Sequence, residues 1–160
     1  MSDRKQPQLI ILFFFAQYID QHLDRFLSNN NLIIFLKGVI LNCSENSAAF
    51  TKLLDQLAKK IVQPFEIDDG QNLIESGPVH MFTKKILTKG DFGLKLLANV
   101  DPTTLKKCLE CNRGAYLLVA IIENVEGGKE KVQSALKSHL EHLKKNCNTK
   151  GAELLKKKLE

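Results

Sequence analysis

The chain has 160 residues, of which 44% are apolar and 26% carry a charge. These fractions are typical of a folded globular protein and exclude a disordered tail, and the length suits one domain or a short solenoid. The net charge of +5 is unevenly distributed, because residues 1–76 hold 7 Lys and Arg against 9 Asp and Glu, whereas residues 77–160 hold 16 against 9. The positive second half predicts an anionic partner, such as nucleic acid or an acidic protein; lysines that only solubilise exposed helix faces are the alternative.

Cysteine usage and hydropathy indicate the cellular compartment in which the protein is expected. The four cysteines, Cys43, Cys108, Cys111 and Cys147, lack the spacing of a disulfide framework, which favours the reducing environment of the cytosol or nucleus. The apolar run Leu9–Ala16 is shorter than the roughly 20 residues that a membrane span needs. No signal-peptide cleavage pattern follows it, and apolar residues continue at helical spacing. We therefore expect a buried first helix and no membrane attachment.

Helical periodicity dominates the rest of the chain, and no stretch shows the alternation of a strand. The predicted helices cover residues 8–28, 32–41, about 44–61, 78–88, 91–100, 101–109, 114–125, 129–145 and 149–159. Ser44, Asp91, Asp101 and Thr149 are the predicted N-caps. The second helix is apolar on nearly all sides, so we expect it to be buried between neighbours.

One motif recurs along the chain. Residues 112–123 begin Asn-Arg-Gly-Ala, and residues 149–160 begin Thr-Lys-Gly-Ala, with Gly114 and Gly151 separated by 37 residues. A weaker copy begins at Val79, 35 residues before Gly114. Offsets of this size are typical of helical repeats. The sequence therefore predicts an all-α fold, an α-solenoid of stacked helical hairpins.

The acidic, turn-rich segment 65–76 suggests a division of this solenoid. It coincides with the change in charge balance. We predict degenerate N-terminal repeats over residues 1–76 and a C-terminal helical domain over residues 77–160.

Few residue patterns point to chemistry. Cys108-x-x-Cys111 and His139-x-x-His142 have the spacing of zinc-ligand pairs. Cys108 and His139 both lie on apolar helix stripes, so core positions are favoured and zinc is the minor alternative. No nucleophile–base motif and no glycine-rich phosphate loop occurs. We expect neither an enzyme nor a bound cofactor, metal or small-molecule substrate.

Residues from about 77 to 160 resemble the C-terminal end of the Puf-A/Penguin-type nucleolar Pumilio-related proteins, including their Penguin-like (CPL) domain. The resemblance is carried by residues 112–115, 131–143 and 149–155, and by Val79, His80, Met81 and Lys84 in the preceding repeat. It implies PUF-like repeats that bind structured or double-stranded nucleic acid largely through the backbone. It also implies a role in pre-ribosomal RNA processing in the nucleolus.

Pumilio repeats that read sequence place three side chains of an inner helix on each base. The matching triplets here are His80, Met81 and Lys84; Ala115, Tyr116 and Val119; and Ala152, Glu153 and Lys156. Because alanine and valine cannot hydrogen-bond a base edge, we expect little base specificity.

The binding prediction therefore rests on charge. We expect phosphate contacts from Lys84, Lys85, Arg113, Lys150 and Lys156, with stacking from Tyr116 or His80. The predicted partners are RNA (pre-rRNA or another structured RNA), DNA as a further candidate, and ribosome-assembly proteins. The competing hypothesis is a helical protein-interaction adaptor that does not bind RNA directly.

Overall fold

The structure, a computed structural model, describes residues 14–43, 47–67, 70 and 72–160. Of helix α1, residues 14–21 are described. The helices that follow are α2 (Leu23–Ser28), α3 (Asn30–Asn42), α4 (Ala48–Ile61), α5 (Gly77–Ile86), α6 (Phe92–Asn99), α7 (Pro102–Glu110), α8 (Asn112–Asn124), α9 (Gly128–Leu136), α10 (Leu140–Asn146) and α11 (Lys150–Leu159). No strand occurs in these described ranges, and none of their helices is long and apolar enough to cross a membrane. The predicted all-α helical-repeat fold is confirmed.

The helices pack in two rows. In one row, called the inner row below, α3 packs against α5, α5 against α8, and α8 against α11. In the other, called the outer row, α4 packs against α6 and α6 against α9. The short helices α2, α7 and α10 lie against the inner helices that follow them. The unit is thus a helical hairpin of one inner and one outer helix, and a short connecting helix leads into three of the four inner helices.

One hydrophobic cluster joins the two rows. It includes Leu36 of α3, Leu57 of α4, Phe92 of α6 and Ile121 of α8, all nearly inaccessible to solvent. Because the inner row buries one face in this shared core, its exposed residues lie on the face turned away from the outer row. The cluster includes residues on both sides of residue 76, and the division into two domains stays a prediction.

The predicted single helix over residues 129–145 is wrong. The structure has α9 and α10 there, separated by Lys137, Ser138 and His139. The chain turns at this point because α9 completes one repeat in the outer row and α10 leads into the next inner helix. Periodicity does not show the break, since buried apolar residues keep helical spacing across it.

The predicted caps are confirmed at two positions. The Asp101 side chain accepts backbone N–H bonds in the first turn of α7, and the Thr149 hydroxyl does so in α11. Asp91 precedes α6, but its backbone is left-handed and its side chain caps nothing. Ser44 lies outside the described residues, and the hydroxyl of Ser47 caps α4. The first predicted helix is interrupted at His22, which separates α1 from α2, and its residues 8–13 lie outside the described residues.

The prediction that the second helix is buried between its neighbours holds for one face only. Only Ile33, Leu36 and Ile40 of α3 are buried. Ile34 is 61% exposed and Leu41 is 38% exposed. Helix α3 packs against α2 and α5, and its apolar composition exceeds what these neighbours cover.

The repeat glycines lie where helices approach most closely. A Cβ atom at Gly114 would meet the carbonyl oxygen of Cys108 and would lie 2.8 Å from the Cys108 Cα atom. One at Gly151 would meet the carbonyl oxygen of Asn112 and would lie 3.1 Å from the Cβ atom of Ala115. The glycine that both copies of the motif share thus lies at a close backbone contact, which only glycine permits.

Gly114→Ala is expected to lower the free energy of unfolding by about 1–3 kcal/mol, because the added methyl group collides with backbone atoms that cannot rotate away. Gly38→Ala is the matched control, since a Cβ atom there would meet nothing within 4 Å. It should raise the stability by about 0.5–1 kcal/mol through better helix propensity. Urea denaturation of both variants measures the difference. Equal effects from the two substitutions would contradict the close contact.

Candidate nucleic-acid interface

The residues predicted to bind nucleic acid lie on three adjacent helices of the inner row. His80, Lys84 and Lys85 are on α5, Arg113 and Tyr116 on α8, and Lys150 and Lys156 on α11. Because α5, α8 and α11 pack side by side, the fold brings these residues into one layer. Their individual environments differ, however.

Three of the lysines are available to a ligand. Lys84, Lys85 and Lys150 are exposed, and none of them forms an ion pair with another described residue. Lys156 differs, because its Nζ lies 2.8 Å from Oε1 of Glu153 on the same helix. A phosphate would have to compete with that carboxylate. The strongest cationic positions are therefore those on α5 and at the start of α11.

Arg113 takes part in a contact between repeats. Its Nη1 donates to the carbonyl oxygen of Glu75 at 2.6 Å. In return, Oε1 of Glu75 accepts the backbone N–H groups of Arg113 at 2.8 Å and Gly114 at 3.3 Å. The Glu75 carboxylate thus caps α8, where the positive end of the helix dipole favours a negative charge. Arg113 is exposed, yet its guanidinium is oriented by this contact.

A second cap of the same kind joins α8 to α11. The side-chain oxygen of Asn112 accepts the backbone N–H of Gly151 at 2.9 Å. Sequence reasoning missed both Glu75 and Asn112 as structural residues of the layer. The partners are 38 and 39 residues apart, so no local pattern contains both.

His80 is buried between the inner helices. Neither its Nδ1 nor Oγ1 of Thr83 has a hydrogen-bond partner among the described residues. Burial lowers the pKa of His80, the positive charges of Lys84 and Arg113 lower it further, and Glu75 opposes them. The imidazole is therefore neutral at neutral pH, and a base that stacked on it would have to enter the helix layer. Tyr116, which is only partly buried, is the more accessible of the two predicted stacking residues.

The middle predicted base-contacting triplet is largely enclosed. Ala115 is fully buried and Val119 is 3% exposed. Ala152 of the last triplet is also fully buried. Exposed triplet positions remain at Met81 and Lys84 on α5 and at Glu153 on α11. Burial thus removes from the middle repeat the positions that would read a base.

The zinc alternative finds no support in the side-chain contacts. Burial raises the pKa of the Cys108 thiol to about 12. His142 already uses both ring nitrogens, since Nε2 lies 2.7 Å from Oε1 of Glu110 and Nδ1 lies 3.0 Å from the amide nitrogen of Asn146. Within the described ranges, no three His, Cys, Asp or Glu side chains form a group that could hold a metal ion.

Comparison with known proteins identifies the fold. No protein-family model matches the chain, and no curated protein sequence matches it significantly. Among solved structures, the crystal structure of human Puf-A is similar, with a TM-score of 0.69 and 21% sequence identity over 91% of this chain. The chain shares the Puf-A fold. The resemblance seen in the sequence is confirmed at the level of the fold. The chain spans 30% of the length of the matched Puf-A chain.

Glu75→Ala is expected to lower the free energy of unfolding by about 1–2 kcal/mol, because it removes the cap from α8. Glu126→Ala is the matched control, since Glu126 is exposed and makes no hydrogen bond or ion pair with other described residues. Urea denaturation of the two variants provides the test. A loss as small for Glu75→Ala as for Glu126→Ala would mean that the cap contributes nothing.

The lowered pKa of His80 predicts a dependence of stability on pH. Because the unfolded state binds this proton more readily than the folded state, the stability that neutral His80 contributes is complete above the unfolded value of 6.5. It declines as the pH falls from that value towards the lower folded pKa. His80→Gln should therefore reduce the loss of stability on acidification, measured by urea denaturation across this range. An unchanged dependence in the variant would assign the effect to other groups.

Proposed function

We propose that the chain is a non-catalytic RNA-binding module that contacts the sugar–phosphate backbone and has little base specificity. The observation that carries the proposal is the set of exposed inner-row lysines, Lys84, Lys85 and Lys150, that lack acidic partners among the described residues. Lysine presents a flexible point charge, which suits phosphate oxygens and does not select a base. Arg113 and Lys156 add positive charge, but each already has a partner. Arg113 donates to the Glu75 carbonyl oxygen, and Lys156 pairs with the Glu153 carboxylate.

Low base specificity follows from the enclosure of α8. Sequence-reading helical repeats present two or three side chains to each base. Here Ala115 and Val119 are buried and cannot form hydrogen bonds from their side chains, while Tyr116 offers at most a stacking surface. Contacts with the RNA backbone would therefore dominate, made by the lysines on both sides of α8. The Puf-A-like fold further supports a binding role rather than a catalytic one.

We further propose that the RNA is a pre-rRNA or another structured RNA and that the module acts in ribosome assembly in the nucleolus. This proposal is supported by the sequence resemblance to the Puf-A/Penguin proteins together with the shared fold. It concerns this module alone, since the chain corresponds to 30% of the matched Puf-A chain.

The test is a fluorescence titration of the chain against single- and double-stranded RNA at several salt concentrations. Phosphate contacts predict that log K falls with log salt, with a slope of about −0.7 to −0.9 per phosphate neutralised. The triple variant Lys84→Glu, Lys85→Glu, Lys150→Glu should lose at least about tenfold in affinity and show a shallower slope.

The matched control is the triple variant Lys59→Glu, Lys106→Glu, Lys131→Glu. It carries the same net charge, but its exposed positions lie on α4, α7 and α9, outside the inner row. It should retain much more affinity than the inner-row variant. A salt slope near zero, or equal losses in the two triple variants, would refute the proposal.

A further inference from the structure

Helices α3 and α5 expose an apolar surface that the proposed RNA contacts do not use. Ile34 is 61% exposed, Leu41 is 38% exposed, and Met81 on the neighbouring helix is 57% exposed. Gly38 lies between Ile34 and Leu41 at helical spacing, so the three residues share one face of α3. A Cβ atom at Gly38 would meet nothing within 4 Å. Ile34, Gly38 and Leu41, together with Met81 on the helix that packs beside them, are called the apolar notch below.

Neither packing nor backbone conformation requires the glycine in this notch. Gly38 is inside α3, where glycine is less favourable than alanine. It is not among the described glycines with positive φ, and a methyl group would contact no neighbouring atom. Helix α3 continues through Gly38 to Asn42, whose side-chain amide donates to the Gly38 carbonyl oxygen at 2.8 Å. The glycine leaves open space between two apolar side chains, and this space is called the floor of the notch below.

The charged residues of α3 and α5 all have one sign. Lys37 lies on α3, and Lys84 and Lys85 lie on α5. Neither helix contains Asp or Glu, and none of the three lysines forms an ion pair with another described residue. An acidic ligand would therefore be attracted to this surface and a basic one repelled.

We propose that the apolar notch binds an amphipathic acidic helix of a partner protein. An apolar side chain of that helix would sit over Gly38 between Ile34 and Leu41, and its neighbour one turn away would pack on Met81. Carboxylates on one flank would face Lys37, Lys84 and Lys85. The aliphatic side chains of Ile34 and Leu41 around this open space fit such a side chain, and they offer a nucleobase no hydrogen bond.

The first 13 residues of the chain carry the wrong charge for this site. They contain Arg4 and Lys5 against Asp3 alone. A partner helix with several carboxylates matches the three lysines better. The inference does not depend on RNA binding, although the two ligands would share Lys84 and Lys85.

The experiment selects displayed helical peptides on the full chain. One library has a fixed apolar stripe with Asp and Glu on its flank, and a matched library has Lys and Arg at the same positions. Each peptide has about 20 residues, because shorter isolated helices are marginal in water. We expect enrichment from the acidic library only. Failure to enrich any acidic peptide, or equal enrichment from the basic library, would overturn the proposal.

Affinities of enriched peptides are then measured by fluorescence anisotropy. Met81→Glu and Gly38→Leu should each weaken peptide binding by about tenfold or more, because one adds a like charge and the other fills the floor. RNA affinity should be nearly unchanged in Gly38→Leu. Thermal melts monitored by circular dichroism check the folding of both variants, and Gly38→Ala controls for the loss of glycine.

The remaining outcomes identify another occupant. If Gly38→Leu weakens RNA binding and leaves peptide binding intact, the notch belongs to an RNA surface. If a synthetic peptide of residues 1–13 displaces the selected peptides, the notch is occupied by the chain's own N-terminal segment. Both results would overturn the inference, and neither would refute RNA binding through the lysines.

Discussion

The fold depends on the way in which one repeat completes the N-terminus of the next inner helix. Glu75 caps helix α8, and Asn112 adds a second cap to α11 beside that of Thr149. A helix begins with N–H groups that have no partner within the helix, so these side chains satisfy donors that burial would otherwise leave unpaired. In a stack where each repeat contacts mainly its neighbours, such bonds fix the position of each inner helix relative to the one before it.

The ion pairs between elements also join an earlier part of the chain to a later one. Asp20 pairs with Lys52, Asp55 with Lys95, and Glu123 with Lys158, so the acid belongs to the earlier element and the lysine to the later one. Partly exposed pairs of this type contribute little stability, about 0–1 kcal/mol each. Their larger effect is on the surface potential, because a lysine paired between elements is a poor phosphate ligand. Net charge therefore overestimates the free positive surface, and the unpaired lysines of the inner row carry the electrostatic argument.

Much of this organisation was predictable from the sequence. The match between Gly114 and Gly151 predicted the repeat, and it did so because both glycines lie at backbone contacts that exclude a side chain. Repeat alignment also placed Lys84 and Lys150 on inner helices. The break after α9 was not predictable, because Val132 and Leu136 continue a helical pattern into α10 and local periodicity carries no information on the direction of the chain. The role of Glu75 was hidden for a related reason, since its partners lie 38 and 39 residues away.

Helix α8 determines how a ligand meets the inner row. Gly151 lets α11 approach α8 closely, and this contact accompanies the burial of Ala115 and Val119. Positions that would face a ligand on α8 are thereby enclosed, while the corresponding positions on α5 stay exposed as Met81 and Lys84. The inner row consequently presents unpaired lysines on α5 and at the start of α11, separated by α8, whose Arg113 guanidinium is oriented by its contact with Glu75. Such a surface favours a ligand whose charges recur at intervals, as those of a nucleic-acid backbone do, over one that must be read at every repeat.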